Sequence, residues 1–369
     1  MRFRTNDSHN NDSNNNLQPW RGRVMLVGMC FLLTLAAIEV EGQVTPSSPA
    51  PRSATGIAQA VTVLDAAPAS QSNGATTPEQ PDAQPPANDQ GAIFVFKTEV
   101  HEVILHATVV DDQRRLVTNL GRPAFAVFED GVPQATTSFR RDDVPVALGI
   151  VIDNSGSMRE KREKVNQGVL NLIRASGPND ETFVVNFSQD SYLDQDFTSN
   201  VDLLQQALQK VSAQGSTALY DAIVAAAVHL KNNTLVERKV LLVITDGRDN
   251  ASQETLQEAM RRLQQVNGPT LYAIGLLGDE PQRPDIGALK SLADSTGGVA
   301  FFPKRLDEVD DITRTVARDI HSQYIIGYHP TNHSEDARYR VIEVRAQTAS
   351  HAKLSVRTRR GYYAGETVR

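Results

Sequence analysis

Between residues 145 and 322 the sequence alternates short apolar runs with segments of helical spacing, and this restricts the possible folds more than any other feature. The runs are VALGIVI (146–152), TFVVNF (182–187), VLLVIT (240–245), TLYAIGL (270–276) and GVAFF (298–302). Continuous apolar character suits strands buried on both faces, as in a parallel sheet covered by helices. Val165, Val169, Leu172 and Ile173 share one helical face. So do Leu219, Ile223, Ala226 and Leu230, and likewise Leu306, Val309, Ile312, Val316 and Ile320. The pattern predicts a doubly wound α/β domain with six strands, mostly parallel, and about six helices on its two faces. YLDQDF (192–197) is expected as a short antiparallel edge strand after TFVVNF.

Ligands of such sheets sit outside the carboxyl ends of the strands, at the switch point of the topology. Polar residues follow the apolar runs there. The first run leads into IDNSGSM, with Asp153, Ser155 and Ser157. A later loop, QGSTALYDA, places Thr217 before a helix, and VITDGRDN puts Asp246 at a strand end. Two carboxylates and three hydroxyls are hard oxygen donors, suited to Mg²⁺, Mn²⁺ or Ca²⁺ rather than zinc. These side chains cannot fill the six positions of Mg²⁺, so one position stays open to an outside carboxylate. Close carboxylates repel, and a cation relieves this. Asp246→Ala is therefore expected to raise thermal stability slightly in metal-free buffer. The alternative is that the serines and Asp246 only cap helices and turns.

Asp153, Ser155, Ser157, Thr217 and Asp246 together resemble the complete metal-ion-dependent adhesion site of von Willebrand factor type A domains. The resemblance covers about 145–322. A wider one, to bacterial secreted proteins with such domains, takes in FAVFEDGVPQ, PVALGIVIDNSGSM and YIIGYHP with RRGYYA. It implies that Ser155, Ser157 and often Thr217 contact the ion directly. Asp153 and Asp246 would do so directly or through water. It also implies a partner protein whose Asp or Glu completes the metal shell.

Other residues near these motifs read more plainly. Asp221, Asp249 and Asn250 are expected in turns or caps. His229 is expected at or just below the surface of its helix rather than as a ligand. The charged run from Arg159 to Lys164 reads as a solvated helix face, or as the rim of a site for an acidic partner. Tyr362 and Tyr363 read as core or strand-end aromatics.

The flanks are β-rich. Residues 93–140 alternate apolar and polar positions, and Asp130-Gly131 is a hairpin signal. YIIGYHP, RYRVIEVRA and KLSVRTRRGYYA suggest three more strands over 323–364. The two segments are expected to form one small β-sandwich interrupted by the α/β domain. Residues 43–91, rich in Ala, Pro, Ser, Thr and Gln, read as a disordered linker. Arg21 and Arg23 precede an apolar run, Val24–Ile38, too short to span a bilayer. Residues 1–42 therefore read as a signal peptide, cleaved near Gln43 or after Ala36-Ala37, with a retained membrane anchor or a start at Met25 as alternatives. The lone Cys30 falls in this segment, and one cysteine allows no intrachain disulfide or cysteine-ligated zinc site.

A net charge of −7 argues against a general nucleic-acid binder. Two functional classes remain. One is a non-enzymatic, metal-dependent protein-binding module, secreted or in the cell envelope. The other is a phosphatase-type hydrolase using Asp153, but the second carboxylate such enzymes need two residues on is Ser155 here.

Overall fold

The computed structural model describes residues 102–141, 144–210, 213–277, 283–348 and 353–365. The signal-peptide, linker and Cys30 readings lie outside the described residues, as does the strand pattern over 93–101. Four strands open the described chain: β1 (Val103–Asp111), β2 (Phe125–Glu129), β3 (Val132–Gln134) and β4 (Thr136–Arg140). The α/β domain follows with β5 (Val146–Asp153), α1 (Arg162–Arg174), β6 (Glu181–Phe187), β7 (Ser191–Thr198), α2 (Val201–Gln209) and α3 (Leu219–Asn233). It continues through β8 (Arg238–Thr245), α4 (Leu256–Leu263), β9 (Thr270–Gly275), α5 (Ile286–Thr296), β10 (Ala300–Phe301) and α6 (Glu308–His321). Four more strands end it: β11 (Tyr324–Tyr328), β12 (Tyr339–Ala346), β13 (Leu354–Arg357) and β14 (Gly361–Tyr363).

The central sheet has the order β10-β9-β8-β5-β6-β7. Its ladders are parallel except for β7, which runs antiparallel to β6 at one edge as expected. Every residue of β5 is buried, which explains its unbroken apolar run. Leu148, Ile150 and Ile152 point into a core shared with α1, α2 and α6. Ala147 and Val151 point the other way, toward α3, α4 and α5. Burying a side chain such as Ile150 contributes about 1.5–3 kcal/mol, and the two cores together hold the helices on the sheet. The last run, GVAFF, keeps only Ala300 and Phe301 in the sheet. It lies at the edge beside β9 alone, and Phe302 turns to pack on Gly275 instead. The chain steps from β5 to β6 on one side and later to β8 on the other. The switch point therefore lies at the carboxyl ends of β5 and β8.

Two four-stranded antiparallel sheets make up the rest, in the orders β13-β1-β11-β4 and β14-β12-β2-β3. Each mixes strands from before and after the α/β domain. Leu105 pairs with Ile326, and Val127 with Val344. The sheets share a core of Leu105, Val127, Tyr324, Ile326, Ile342 and Tyr362. Asp130 and Gly131 both take positive φ, 49° and 79°, the backbone that a tight two-residue hairpin between β2 and β3 requires. KLSVRTRRGYYA was expected as one strand and is two. β13 joins β1 in one sheet and β14 joins β12 in the other, so the chain crosses between sheets at 358–360. Arg359 is buried at that crossing and donates to the Leu263 carbonyl at 3.2 Å. Among the described residues no helix is long and apolar enough to cross a membrane.

Candidate metal-ion site

Parallel register brings the candidate residues together. Ile152 pairs with Ile244, so Asp153 ends β5 beside Thr245, and Asp246 begins the loop after β8. Asp153 Oδ1 accepts the Ser155 N–H at 2.8 Å, and Oδ2 accepts the Thr245 hydroxyl at 2.6 Å. A short 3₁₀ turn, Gly156–Met158, then leads into α1. It sets Ser155 Oγ 3.2 Å from Ser157 Oγ, and Ser157 Oγ donates to Asp246 Oδ1 at 2.8 Å. Thr217 stands just before α3. Its N–H donates to Asn250 Oδ1 at 2.8 Å, and its carbonyl accepts the Asn250 N–H at 3.0 Å. This two-way clamp ties the Thr217 loop to the Asp246 loop. A Cβ on Gly247 would lie 3.2 Å from Thr217 Oγ1 and 3.9 Å from Asp153 Oδ2, so the glycine keeps open a small cradle between these oxygens.

The five expected residues therefore converge. Asp153, Ser155, Thr217 and Asp246 are all buried. Among the described residues no three His, Cys, Asp or Glu side chains gather as a metal cluster; the side chains that meet here are two carboxylates and three hydroxyls. Burial pushes the Asp153 carboxyl up to about 6; the Thr245 and Ser155 donors work against this, and Asp246 adds a smaller upward push.

Two expectations fail here. The run from Arg159 to Lys164 is not a uniformly solvated face. Arg162 is 3% exposed and donates to Asn186 Oδ1 at 2.8 Å and more weakly, at 3.5 Å, to the Asp153 carbonyl. Burial lowers its pKa to about 10, and Asp153 and Asp194 hold it up, so it stays charged. Lys161 Nζ reaches Asp246 Oδ2 at 2.5 Å. The second correction follows from the first. The Asp246 carboxylate is compensated by the Lys161 ammonium, and the Arg162 guanidinium lies close enough to Asp153 to feel its charge. Asp246→Ala therefore removes an ion pair as well as the smaller repulsion of Asp153, and the loss of the shielded pair is expected to outweigh the relief and lower metal-free stability.

Residues around the site act as supports. Asp249 Oδ2 accepts the Tyr220 N–H at 3.1 Å, and Asp221 Oδ1 accepts the Glu254 N–H at 2.8 Å, so both fix loops as expected. His229 is mostly covered, stacked on Phe197 at 5.2 Å and bonded to Asp196 at 2.8 Å, away from the site. Tyr362 is in the outer core. Sequence reading missed Lys161, Arg162, Thr245 and Gly247. Thr245 and Gly247 flank Asp246 directly, and that adjacency was the available signal. For Lys161 and Arg162 the sequence held no signal beyond position in the turn after Ser157.

Residues 148–248 match the family model of the von Willebrand factor type A domain. No curated protein matches the chain. Among solved structures, a mussel byssus protein, proximal thread matrix protein 1, is similar at 18% identity and a TM-score of 0.42. That match covers 51% of this chain and 49% of the mussel protein, so the chain spans about half of that relative's length. Another structure of the mussel protein is described with a zinc-occupied MIDAS motif, at 18% identity, 52% and 49% coverage and a TM-score of 0.43. A von Willebrand factor type A protein from Catenulispora acidiphila is 15% identical over 73% of this chain and 76% of its own, with a TM-score of 0.43. Asp153 and Asp246 lie at the ends of adjacent parallel strands. Over residues 148–248 the central α/β domain of this chain matches the family model of the von Willebrand factor type A domain, a stretch that spans both Asp153 and Asp246.

Proposed function

We propose that the chain is a protein-binding module, outside the cell or in its envelope, that holds a partner carboxylate through a divalent cation. Asp153, Ser155, Ser157, Thr217 and Asp246 would hold the ion, with Mg²⁺ first and Mn²⁺ or Ca²⁺ as alternatives. The observation that carries this reading is the cradle itself. Five oxygen-bearing side chains meet at the switch point, and Gly247 leaves space between Asp153 and Thr217. When bound, the ion supplies a Lewis-acidic point for an incoming Asp or Glu. Thr245 and the Ser155 N–H orient Asp153, Ser157 orients Asp246, and the Asn250 clamp positions Thr217.

The same contacts disfavour a hydrolase. Both Asp153 oxygens already accept hydrogen bonds, and Ser155, two residues on, cannot act as a general acid.

In this reading the segments 93–140 and 323–364 form one sandwich domain around the type A domain at 145–322, behind a cleaved leader and a linker over 43–91. A pull-down from envelope extract with the mature chain tests the function. Partner capture in Mg²⁺ that is lost in EDTA is expected. Capture indifferent to EDTA contradicts the metal bridge.

A further inference from the structure

Ser157 and Lys161 lie four residues apart in the turn that opens α1, and both reach Asp246. Ser157 Oγ donates to Oδ1 at 2.8 Å and Lys161 Nζ to Oδ2 at 2.5 Å. The pair is shielded from water, with the side chains 13% and 1% exposed. Arg162, the next residue, lies behind Asp153. Lys161 pairs with the Asp246 carboxylate, while Arg162 reaches the Asp153 backbone carbonyl and feels the Asp153 charge only from nearby. The backbone of Lys161 is pinned on both sides. Its N–H donates to the Met158 carbonyl at 2.9 Å, and its carbonyl accepts the Val165 N–H at 3.1 Å. The turn therefore delivers the ammonium to Asp246.

We propose that Lys161 is a built-in counter-ion that competes with divalent cations for Asp246 and so sets the metal affinity of the site. The proposal rests on the metal-site reading above. An ammonium and a divalent ion at one carboxylate repel, and a site this shielded screens them little. Lys161 must leave Oδ2, or tolerate that repulsion, before Asp246 can serve a metal. The apparent affinity is then the intrinsic one reduced by the fraction of molecules in which Lys161 has swung away. A lysine suits this role, since its charge sits on a flexible four-carbon stem. Arg162, bonded to Asn186 Oδ1 at 2.8 Å, is held in place and is not the mobile partner.

Lys161→Met tests this, because it keeps the stem and removes the charge. Lys164→Met, on the exposed face of the same helix, controls for general loss of positive charge. Mg²⁺ titration calorimetry on the mature chain is expected to show about tenfold tighter binding for Lys161→Met and wild-type affinity for Lys164→Met. Melting temperature separates competition from a structural role. Lys161→Met is expected to melt lower than wild type in EDTA but not in saturating Mg²⁺. Equal or weaker Mg²⁺ binding by Lys161→Met, or a lower melting temperature in both buffers, overturns the proposal while leaving the metal site standing. If neither wild type nor Lys161→Met binds Mg²⁺ or Mn²⁺, the metal-site reading falls and takes the proposal with it.

Discussion

Ser157 Oγ donates to Asp246 Oδ1 across 2.8 Å, joining residues 89 positions apart and linking the loop after β5 to the loop after β8. With Lys161 on the other oxygen, each oxygen of Asp246 has a partner. Asp246→Ala leaves Lys161 without this partner and a cavity behind it. Losing one member of a buried pair costs about 3–5 kcal/mol, and the part exposure of Lys161 reduces this to roughly 2. Urea unfolding in EDTA is expected to show that loss. A variant as stable as wild type, or more stable, contradicts the ion-pair account.

Thr245 is the support of Asp153. Its hydroxyl donates to Oδ2 at 2.6 Å, and both residues are fully buried. Thr245→Val keeps the shape and removes the donor, leaving a buried acceptor one partner short, at about 1–3 kcal/mol. Both denaturant stability and Mn²⁺ affinity are expected to drop. Normal affinity in a destabilised variant would limit Thr245 to a folding role.

In the outer sheets, Glu129 at the end of β2 accepts Tyr328 Oη at 2.6 Å and Tyr362 Oη at 2.9 Å, and it pairs with Arg340 at 3.1 Å. Burial and this carboxylate both push the two tyrosines above their ordinary pKa. The network joins β2 to β11, β12 and β14, on both sides of the α/β domain in sequence. Glu129→Gln leaves the Arg340 charge buried and unbalanced, so a loss of about 3–5 kcal/mol is expected in urea unfolding. A change under about 1 kcal/mol would mean that the network contributes little net stability.

His106 in β1 gives a pH dependence. Burial, with Arg238, Arg359 and Lys239 nearby, lowers its pKa to about 3; a hydrogen bond to the Glu237 backbone works the other way. The folded ring stays neutral while the unfolded ring binds a proton below about 6.5. The unfolded state then holds more protons, so stability falls as pH drops through the window from about 6.5 toward 3. From pH 7 to 5 the expected loss from this group is about 1–2 kcal/mol. His106→Gln should flatten the urea midpoint over that range. An equal slope in the variant assigns the effect to other groups.

The legible parts of this molecule were those fixed by local pattern. Unbroken apolar runs announced β5, β6, β8 and β9, because strands buried on both faces have no polar side. Asp130-Gly131 announced its hairpin, because both residues tolerate positive φ. The oxygen donors were visible because each follows a strand or precedes a helix. What stayed hidden depends on distant partners. Lys161 is 85 residues from Asp246, and in isolation its charged run has every mark of a solvated helix face. The break between β13 and β14 was hidden for a similar reason. Arg359 looks like a strand-surface residue until Leu263, 96 residues away, supplies its acceptor.

Mn²⁺ binding followed by electron paramagnetic resonance tests the central claim most directly, since free and bound ion give separable signals. The expected result is one Mn²⁺ per mature chain, displaced by Mg²⁺, with binding lost in Asp246→Ala and in the double variant Ser155→Ala, Ser157→Ala. No bound Mn²⁺ in the folded wild-type protein, or unchanged binding in both variants, contradicts a metal site built from these five side chains.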